Sequence, residues 1–378
     1  METAGKNKPF MELALNLACR GFSSVEPNPM VGCVIVRQGK IIGKSWHKKF
    51  GQAHAEINAL KDACSSGSDP AGATMYVTLE PCCHVGRTGP CTEAIIKAGI
   101  AEVYIAMIDP NAHASGKGVE QLRNAGIEVK VGLCGKQAKL LNAGFIKYVR
   151  TARPWVIVKW AQSIDARLAC SQQRWISCQA SRKDTHKFRR SVQGIMVGIG
   201  TVLADDPLLT PRPDKGRRPA RIVLDSTMKI PLDCQLLKTT DQGDVIVITT
   251  QKHADENPTG SEQITRTGAK VISVPQDESG RCDIKSVLDH LGRIGIQRLL
   301  VEAGPELISN ILKQNLADEV VVYISPQILG AAGTADLGRA LSQIQGIDLA
   351  CNVTTVNFGR DVRIRALTRE PENTSSYQ

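Results

Sequence analysis

The sequence predicts two successive α/β domains, and three observations carry that prediction. Apolar strand-like runs alternate with helical stretches up to about residue 148, the pattern of a mostly parallel sheet covered on both faces. Arg150-Thr151-Ala152-Arg153-Pro154 then breaks the pattern as a short linker, since proline disfavours helix in the residue before it. Beyond it β-rich runs recur with helices between several of them, and 378 residues suffice for two cores. The expected domains are 1–149 and 154–370. Residues 371–378 form a tail whose only apolar residue is Tyr377, and it is expected to be disordered.

In the first domain a helix over Phe10–Arg20 leads into strands Val31–Arg37 and Lys40–Trp46, joined at Gly39 as a hairpin. Helix Ala55–Cys64, strand Thr74–Leu79, helix Thr92–Ala98 and strand Val103–Ile108 follow. Helix Val119–Asn124, strand Ile127–Val131 and helix Lys136–Tyr148 complete the domain. The second domain offers strands at Trp155–Trp160, Gly194–Val197, Ala220–Leu224, Val245–Thr249, Lys270–Val274, Arg298–Val301 and Glu319–Ile324. Helices are expected at Arg182–Arg190, Ile284–Leu291 and Glu306–Gln314. Residues 251–267, polar and carrying Pro258 and Gly260, read as a surface loop.

Composition narrows the function classes. Hydrophobic residues at 42% and charged residues at 22% describe an ordinary soluble globular protein. No apolar run approaches the roughly 18–20 residues of a membrane span. Met1–Pro9 is polar with no secretory run behind it, so a cytoplasmic address is expected. The net charge of +10 is spread: residues 1–150 hold 18 basic against 12 acidic residues, and the remainder 29 against 25. With no basic stripe interleaved with aromatics, small anionic ligands are favoured over nucleic acid. Of twelve cysteines, Cys19, Cys33, Cys64, Cys134, Cys170, Cys234 and Cys351 sit singly and read as buried free thiols, whereas Cys82, Cys83 and Cys91 cluster.

That cluster carries chemistry together with His54-Ala55-Glu56 and Glu80-Pro81-Cys82. One imidazole and two thiolates, His54, Cys82 and Cys91, make three N/S ligands for a single zinc ion and leave its fourth tetrahedral position open to water. Cys83 and His84 are rival ligands; the place directly after proline favours Cys82. Helix N-termini near His54 and Cys91 favour the thiolate the metal needs. Glu56, two residues after His54, faces the activated water as general base and acid without being a ligand. The pattern H-x-E followed by P-C-x-x-C marks zinc deaminases of nucleobases, but here eight residues separate Cys82 from Cys91. On that longer loop His84 and Arg87 are placed to hold an anionic substrate. Asn28 offers donor and acceptor to a ring edge, and His47 follows the hairpin within reach of the site.

The block Glu80-Pro81-Cys82-Cys83-His84-Val85-Gly86-Arg87-Thr88-Gly89-Pro90-Cys91 resembles the bacterial bifunctional deaminase–reductases of riboflavin biosynthesis, as do Pro27-Asn28-Pro29-Met30-Val31-Gly32 and Asp109-Pro110-Asn111. Lys159-Trp160-Ala161-Gln162-Ser163-Ile164-Asp165, Trp175-Ile176-Ser177, Thr201-Val202-Leu203-Ala204-Asp205-Asp206-Pro207 and Val301-Glu302-Ala303-Gly304-Pro305 are similar to that family's reductase half. The resemblance spans residues 8–368. It implies a cytidine-deaminase-like three-layer domain followed by a dihydrofolate-reductase-like α/β domain. It also implies two reactions on a phosphorylated pyrimidine, deamination and then reduction of its ribosyl chain by NADPH.

By the same resemblance Asp109 and Asn111 join the first pocket. In the second domain Ala161, Trp175, Thr201, Asp205, Ser226 and Gly304 match cofactor-contacting positions. Gln173, Arg189, Leu209, Arg212 and Glu302 match substrate-contacting ones, with an arginine fork suited to phosphate. Lys159, Asp205 and Glu302 are the candidates for organising hydride transfer. Copies are expected to associate through this domain, with neither nucleic acid nor membrane as partner. Gly198-Ile199-Gly200-Thr201, after an apolar strand, presents backbone N–H groups to a phosphate but lacks the third glycine and the spacing of a Rossmann fingerprint. The sequence departs from the family at Ala166, where glycine is usual, and at Gly89, where a second proline is common. A turn that requires positive φ at 166 would be strained by alanine.

Two other readings compete. A deaminase of a free or RNA-borne base with an idle second domain would carry the compact P-C-x-x-C. An RNA-binding protein with a structural zinc would need a fourth ligand and a basic stripe, and would leave Glu56 without purpose.

Overall fold

The computed structural model describes residues 2–84, 89–213, 216–342, 344, 346, 349 and 351–371. Among them the chain divides into two units, 2–151 and 152–370, each with its own sheet and core. The tail expected to be disordered lies, from 372 on, outside the described residues.

The first unit holds β1 (Gly32–Arg37), β2 (Lys40–Trp46), β3 (Thr74–Val77), β4 (Glu102–Ile105) and β5 (Glu128–Val131) in the order β2-β1-β3-β4-β5. The β1–β2 hairpin turns on Gln38 and Gly39, both with positive φ, as a tight two-residue turn of the twisted kind requires. The sheet is less parallel than the alternation predicted: β3, β4 and β5 run parallel, but β1 is antiparallel to both β2 and β3. Three layers follow from two glycines. A Cβ on Gly32 would lie 1.9 Å from Ala14 O of helix Glu2–Ala18, and one on Gly43 would lie 2.4 Å from Ala59 O of helix Ala55–Ser65. Gly43 pairs with Ile35, an odd number of residues from Gly32, so the two helices press on opposite faces of the sheet. Val34, Ile35, Met75, Val103 and Ile105 are fully buried between them.

The second unit holds β6 (Trp155–Ser163), β7 (Gly194–Gly198), β8 (Ala220–Leu224), β9 (Val245–Thr250), β10 (Lys270–Val274), β11 (Arg298–Val301), β12 (Glu319–Ser325), β13 (Cys351–Phe358) and β14 (Asp361–Leu367). Their order is β10-β9-β8-β7-β11-β6-β12-β14-β13, parallel from β10 to β12 and antiparallel at β14 and β13. The parallel strands are near-continuous apolar runs, as burial on both faces demands: Val156, Val158, Met196, Ile222, Ile248, Leu299 and Val301 are all in the core. Burial of each such side chain contributes roughly 1.5–3 kcal/mol. The neighbouring strands β7 and β11 lead to β8 and β12, so the chain leaves them in opposite directions across the sheet. A crevice forms at the carboxyl ends of strands where such a reversal occurs.

Several expectations are corrected. The supposed loop 251–267 is two helices, Gln251–Glu256 and Pro258–Arg266, because Thr250 and Asn257 cap them by accepting from His253 N and Gly260 N, with Pro258 at a tolerated first-turn position. The helix expected over Lys136–Tyr148 breaks at Asn142 into Gly135–Leu141 and Ala143–Thr151, which absorbs Arg150 and Thr151 of the expected linker. The hairpin β13–β14 was not foreseen. Cys33 and Cys234 are buried as expected, but Cys19 and Cys64 are exposed and Cys134 and Cys170 half-buried; small thiols at helix ends and loop edges need no core to be tolerated. The side chain of Cys351 lies outside the described residues.

Candidate active sites

Three segments bring the first site together. His54 stands at the N-cap of helix Ala55–Ser65, Cys91 opens helix Cys91–Lys97, and Cys82 lies beyond the carboxyl end of β3. His54 Nδ1 is 3.5 Å from Cys82 Sγ and 3.3 Å from Cys91 Sγ, and the three donor atoms fall within 4.8 Å of one another. Zinc bonds of about 2.3 Å to sulfur and about 2.1 Å to nitrogen, at tetrahedral angles, hold such donors about 3.6 Å apart, so the set fits zinc. Cys83 and His84 stay outside this cluster, which leaves three donors among the described residues and argues against a closed structural site. Cys82 Sγ also accepts from Cys91 N at 3.4 Å. The hydrogen bond from the Cys91 thiol, and then His54, hold the Cys82 thiol down to about 4 against the opposing effect of burial.

Glu56 lies in the first helical turn, 3% exposed, and its Oε2 has no hydrogen-bond partner among the described residues. Burial, then the nearby Cys82 sulfur, push its carboxyl up to about 7, the range in which a side chain both takes and returns a proton. His47 is buried and packs edge-on against His54, with ring centroids 5.3 Å apart. With Nδ1–H donating to Ala53 O at 3.2 Å, His47 Nε2 accepts from the Asn28 amide at 3.3 Å. Burial lowers the His47 pKa and keeps the ring neutral for that role. Asp109 N donates to Glu80, and the Asp109 carboxylate accepts from Asn111 N at 2.8 Å; burial raises the Asp109 carboxyl. Asn111 and His84 are exposed. Arg87 lies outside the described residues.

Two positioning features escaped the sequence reading. Asn142 is buried and brackets Met30, accepting from Met30 N at 2.9 Å and donating to Met30 O at 3.0 Å, which fixes the chain beside Asn28 and explains the helix break. An asparagine inside a helical pattern was the available signal. Glu80, the second, is taken up below.

The second unit encloses a cavity of about 1440 Å3 at the carboxyl ends of β6, β7, β8 and β11. Lys159, Ala161, Gln173, Trp175, Arg189, Thr201, Asp205, Leu209, Arg212, Ser226, Glu302 and Gly304, all the second-domain positions expected to contact cofactor or substrate or to organise hydride transfer, line it. At its base Arg189 forks onto Glu302 through Nε–Oε1 at 2.8 Å and Nη2–Oε2 at 3.0 Å, with Lys159 Nζ 4.0 Å from Glu302. Burial alone would raise the Glu302 carboxyl, but Arg189 and Lys159 outweigh it and hold it down to about 2. Burial lowers the Lys159 ammonium, partly offset by Glu302. His186 also lines the cavity and was missed; burial, then Arg189, lower it to about 4, so it is neutral.

The cavity's backbone fits a dinucleotide phosphate. Gly198 caps helix Ile199–Asp205 and Gly304 caps helix Pro305–Lys313. Gly200 and Gly304 line the cavity, and a Cβ on either would meet nothing within 4 Å, so no neighbouring side chain crowds the backbone there. Ser226 Oγ accepts from Cys282 N at 3.0 Å. Trp175 is half exposed, with Arg174 and Arg182 each 5.1 Å from its ring centroid. Asp205 and Arg212 are exposed at the rim, whereas the Leu209 side chain is buried.

Ala166 does adopt positive φ, +60°, in a turn clamped by Asp165, whose carboxylate accepts from Ser163 Oγ at 2.7 Å, Leu329 N at 3.0 Å and Gly330 N at 2.8 Å. Alanine in the left-handed region is strained. Ala166→Gly is therefore expected to stabilise the chain by about 0.5–1 kcal/mol after the entropic cost of glycine. Thermal denaturation checks this; an unchanged or lower Tm contradicts the strain.

Residues 5–107 match the family model described as the cytidine and deoxycytidylate deaminase zinc-binding region, and residues 154–356 match the RibD C-terminal domain. The riboflavin biosynthesis protein RibD of Aquifex aeolicus is 42% identical over 88% of this chain and 90% of its own length. RibD of Escherichia coli is 37% identical over 92% and 94%. Among solved structures, RibD of Acinetobacter baumannii superposes with a TM-score of 0.80 at 34% identity, covering 96% of this chain and 99% of that one. A diaminohydroxyphosphoribosylaminopyrimidine deaminase/5-amino-6-(5-phosphoribosylamino)uracil reductase of Thermotoga maritima reaches 0.82 at 33% identity, covering 97% and 99%. With both halves matched in order and relatives aligned along nearly their full length, the chain belongs to the RibD family of riboflavin biosynthesis proteins.

Proposed function

We propose that this chain carries out two successive steps of riboflavin biosynthesis. The first unit hydrolytically deaminates 2,5-diamino-6-(5-phosphoribosylamino)pyrimidin-4(3H)-one. The second then reduces the ribosyl side chain with NADPH, giving 5-amino-6-(5-phosphoribitylamino)uracil. The observation that carries this reading is a three-donor zinc set beside a buried carboxylate with one oxygen left without a partner among the described residues, and a cavity of dinucleotide size in the other unit.

His54, Cys82 and Cys91 would hold zinc, which when bound supplies Lewis-acid activation of water. Asn28, with its amide oriented by His47, reads the ring edge, and Asp109 and Asn111 line the same pocket. Glu56 takes the proton from the attacking water and returns it to the departing amine, so water is consumed and ammonia leaves. Its exclusion from solvent keeps that proton on the reaction path. In the second unit the N–H groups near Gly200, Thr201 and Gly304 would hold the NADPH phosphates, and NADPH supplies the hydride. Arg212, exposed at the rim, holds the substrate phosphate, and Lys159, anchored with Arg189 on Glu302, donates a hydrogen bond to the opening sugar oxygen. Copies associate through this unit, a reading supported by exposed Val353, Val356 and Val362 on its last two strands. No helix among the described residues is long and apolar enough to cross a membrane.

Metal removal separates the two steps. Dialysis against a chelator is expected to strip one zinc per chain and abolish ammonia release, while NADPH oxidation on the deaminated intermediate continues. Ammonia release that survives complete zinc loss contradicts the assignment of His54, Cys82 and Cys91.

A further inference from the structure

Glu80 precedes the ligand segment Pro81-Cys82 but has no part in the mechanism above. It is 5% exposed, and both its oxygens are fully used by one segment of backbone. Oε2 accepts from Asp109 N at 3.1 Å and Gly116 N at 3.0 Å; Oε1 accepts from Gly118 N at 2.9 Å and Val119 N at 3.2 Å. Glu80 N in turn donates to Met107 O at 3.0 Å. The fit is close: a Cβ on Gly118 would lie 2.2 Å from Pro81 O. A second tie runs from the other ligand, where Thr92 N donates to Cys82 O at 3.2 Å and Thr92 Oγ1 to Gln121 Oε1 at 2.7 Å.

We infer that Glu80 is a positioning residue for deamination: its carboxylate docks the 109–119 segment, and with it Asp109, onto the backbone that carries Cys82. The inference rests on the deaminase reading of this unit. Four N–H donors converging on two oxygens need an acceptor at both positions, which a carboxylate provides and an amide does not. The burial of Glu80 without a paired cation among the described residues is thereby explained. Its consequence is that Asp109 and the metal-ligand segment share one rigid mount, so a shift of one relative to the other misplaces substrate.

The test uses the full chain and the diaminopyrimidinone substrate. Glu80→Gln turns an NH2 group toward two of the four N–H donors. It is expected to raise KM for ammonia release by about 10- to 100-fold, with a smaller change in kcat. Zinc content stays at the wild-type level, and hydrogen exchange quickens at the amides of Gly116, Gly118 and Val119. Gly118→Ala keeps the carboxylate but drives a methyl into Pro81 O. It is expected to give the same KM rise, so the docking is tested even where one variant folds poorly. NADPH oxidation on the deaminated intermediate reports that the rest of the chain is intact. An unchanged KM despite faster exchange overturns the inference, as does ammonia release that falls only in step with lost zinc. Wild-type protein that binds zinc but releases no ammonia defeats the deaminase reading itself, a result separate from both.

Discussion

Glu56→Gln is expected to lower ammonia release by about 10³- to 10⁴-fold while zinc content and NADPH oxidation on the deaminated intermediate stay at wild-type levels. The amide keeps the size and shape of the side chain, so the buried pocket beside Ala55 and Ala59 is not reopened. What it loses is the ability to carry a proton. Glu56 is not one of the three clustered donors, so metal binding does not depend on it. Its Oε2 already lacks a partner among the described residues, so the change breaks no hydrogen bond at that oxygen. Simultaneous assay of ammonia, zinc and NADPH checks the three expectations. A loss smaller than about tenfold would mean that another group moves the proton, general acid–base catalysis being worth at least about a hundredfold.

Glu302→Gln is expected to destabilise the second unit by about 3–5 kcal/mol and to abolish NADPH oxidation, because it leaves Arg189 and Lys159 buried without their counter-charge. For a unit of this size that corresponds to a fall of roughly 6–20 °C in Tm, and ammonia release at moderate temperature should persist. The pH dependence has a definite sign. The folded carboxyl is depressed to about 2, so its stabilisation is fully present above the unfolded value of about 4.3. It is lost as pH falls through that window toward 2. Acid unfolding of the wild type should therefore steepen between those values, and the Gln variant should flatten that limb. A variant with wild-type Tm and an unaltered acid limb would show that the fork onto Glu302 contributes nothing to folding.

Much of this architecture was legible because burial on two faces writes itself as uninterrupted apolar runs. Val156–Val158, Ile195–Val197 and Leu299–Val301 were readable as strands for that reason, and each is fully buried. The zinc donors were legible because a metal needs a few uncommon side chains, His54, Cys82 and Cys91, near turns and helix starts. Single proline and glycine signals misled. Asn257-Pro258 is an N-cap and first-turn pair rather than a loop, and Asn142 ends a helix by bonding the backbone of Met30, 112 residues away. The role of Glu80 was illegible for the same reason: its four partners are backbone amides, which carry no residue-type signature, and they lie 29 to 39 residues further along the chain. In the hairpin β13–β14 the second strand alternates apolar and polar residues and the first is largely exposed, a weaker signal than a buried run.

The measurement closest to the central claim is a stoichiometric assay of the zinc-loaded wild-type chain on the phosphoribosylamino diaminopyrimidinone, with ammonia and NADPH followed separately. Two active units on one chain predict one ammonia released and one NADPH oxidised per substrate, with ammonia appearing first. Ammonia without NADPH oxidation would leave the second unit without its reaction, and NADPH oxidation preceding any ammonia would contradict the order of the two steps.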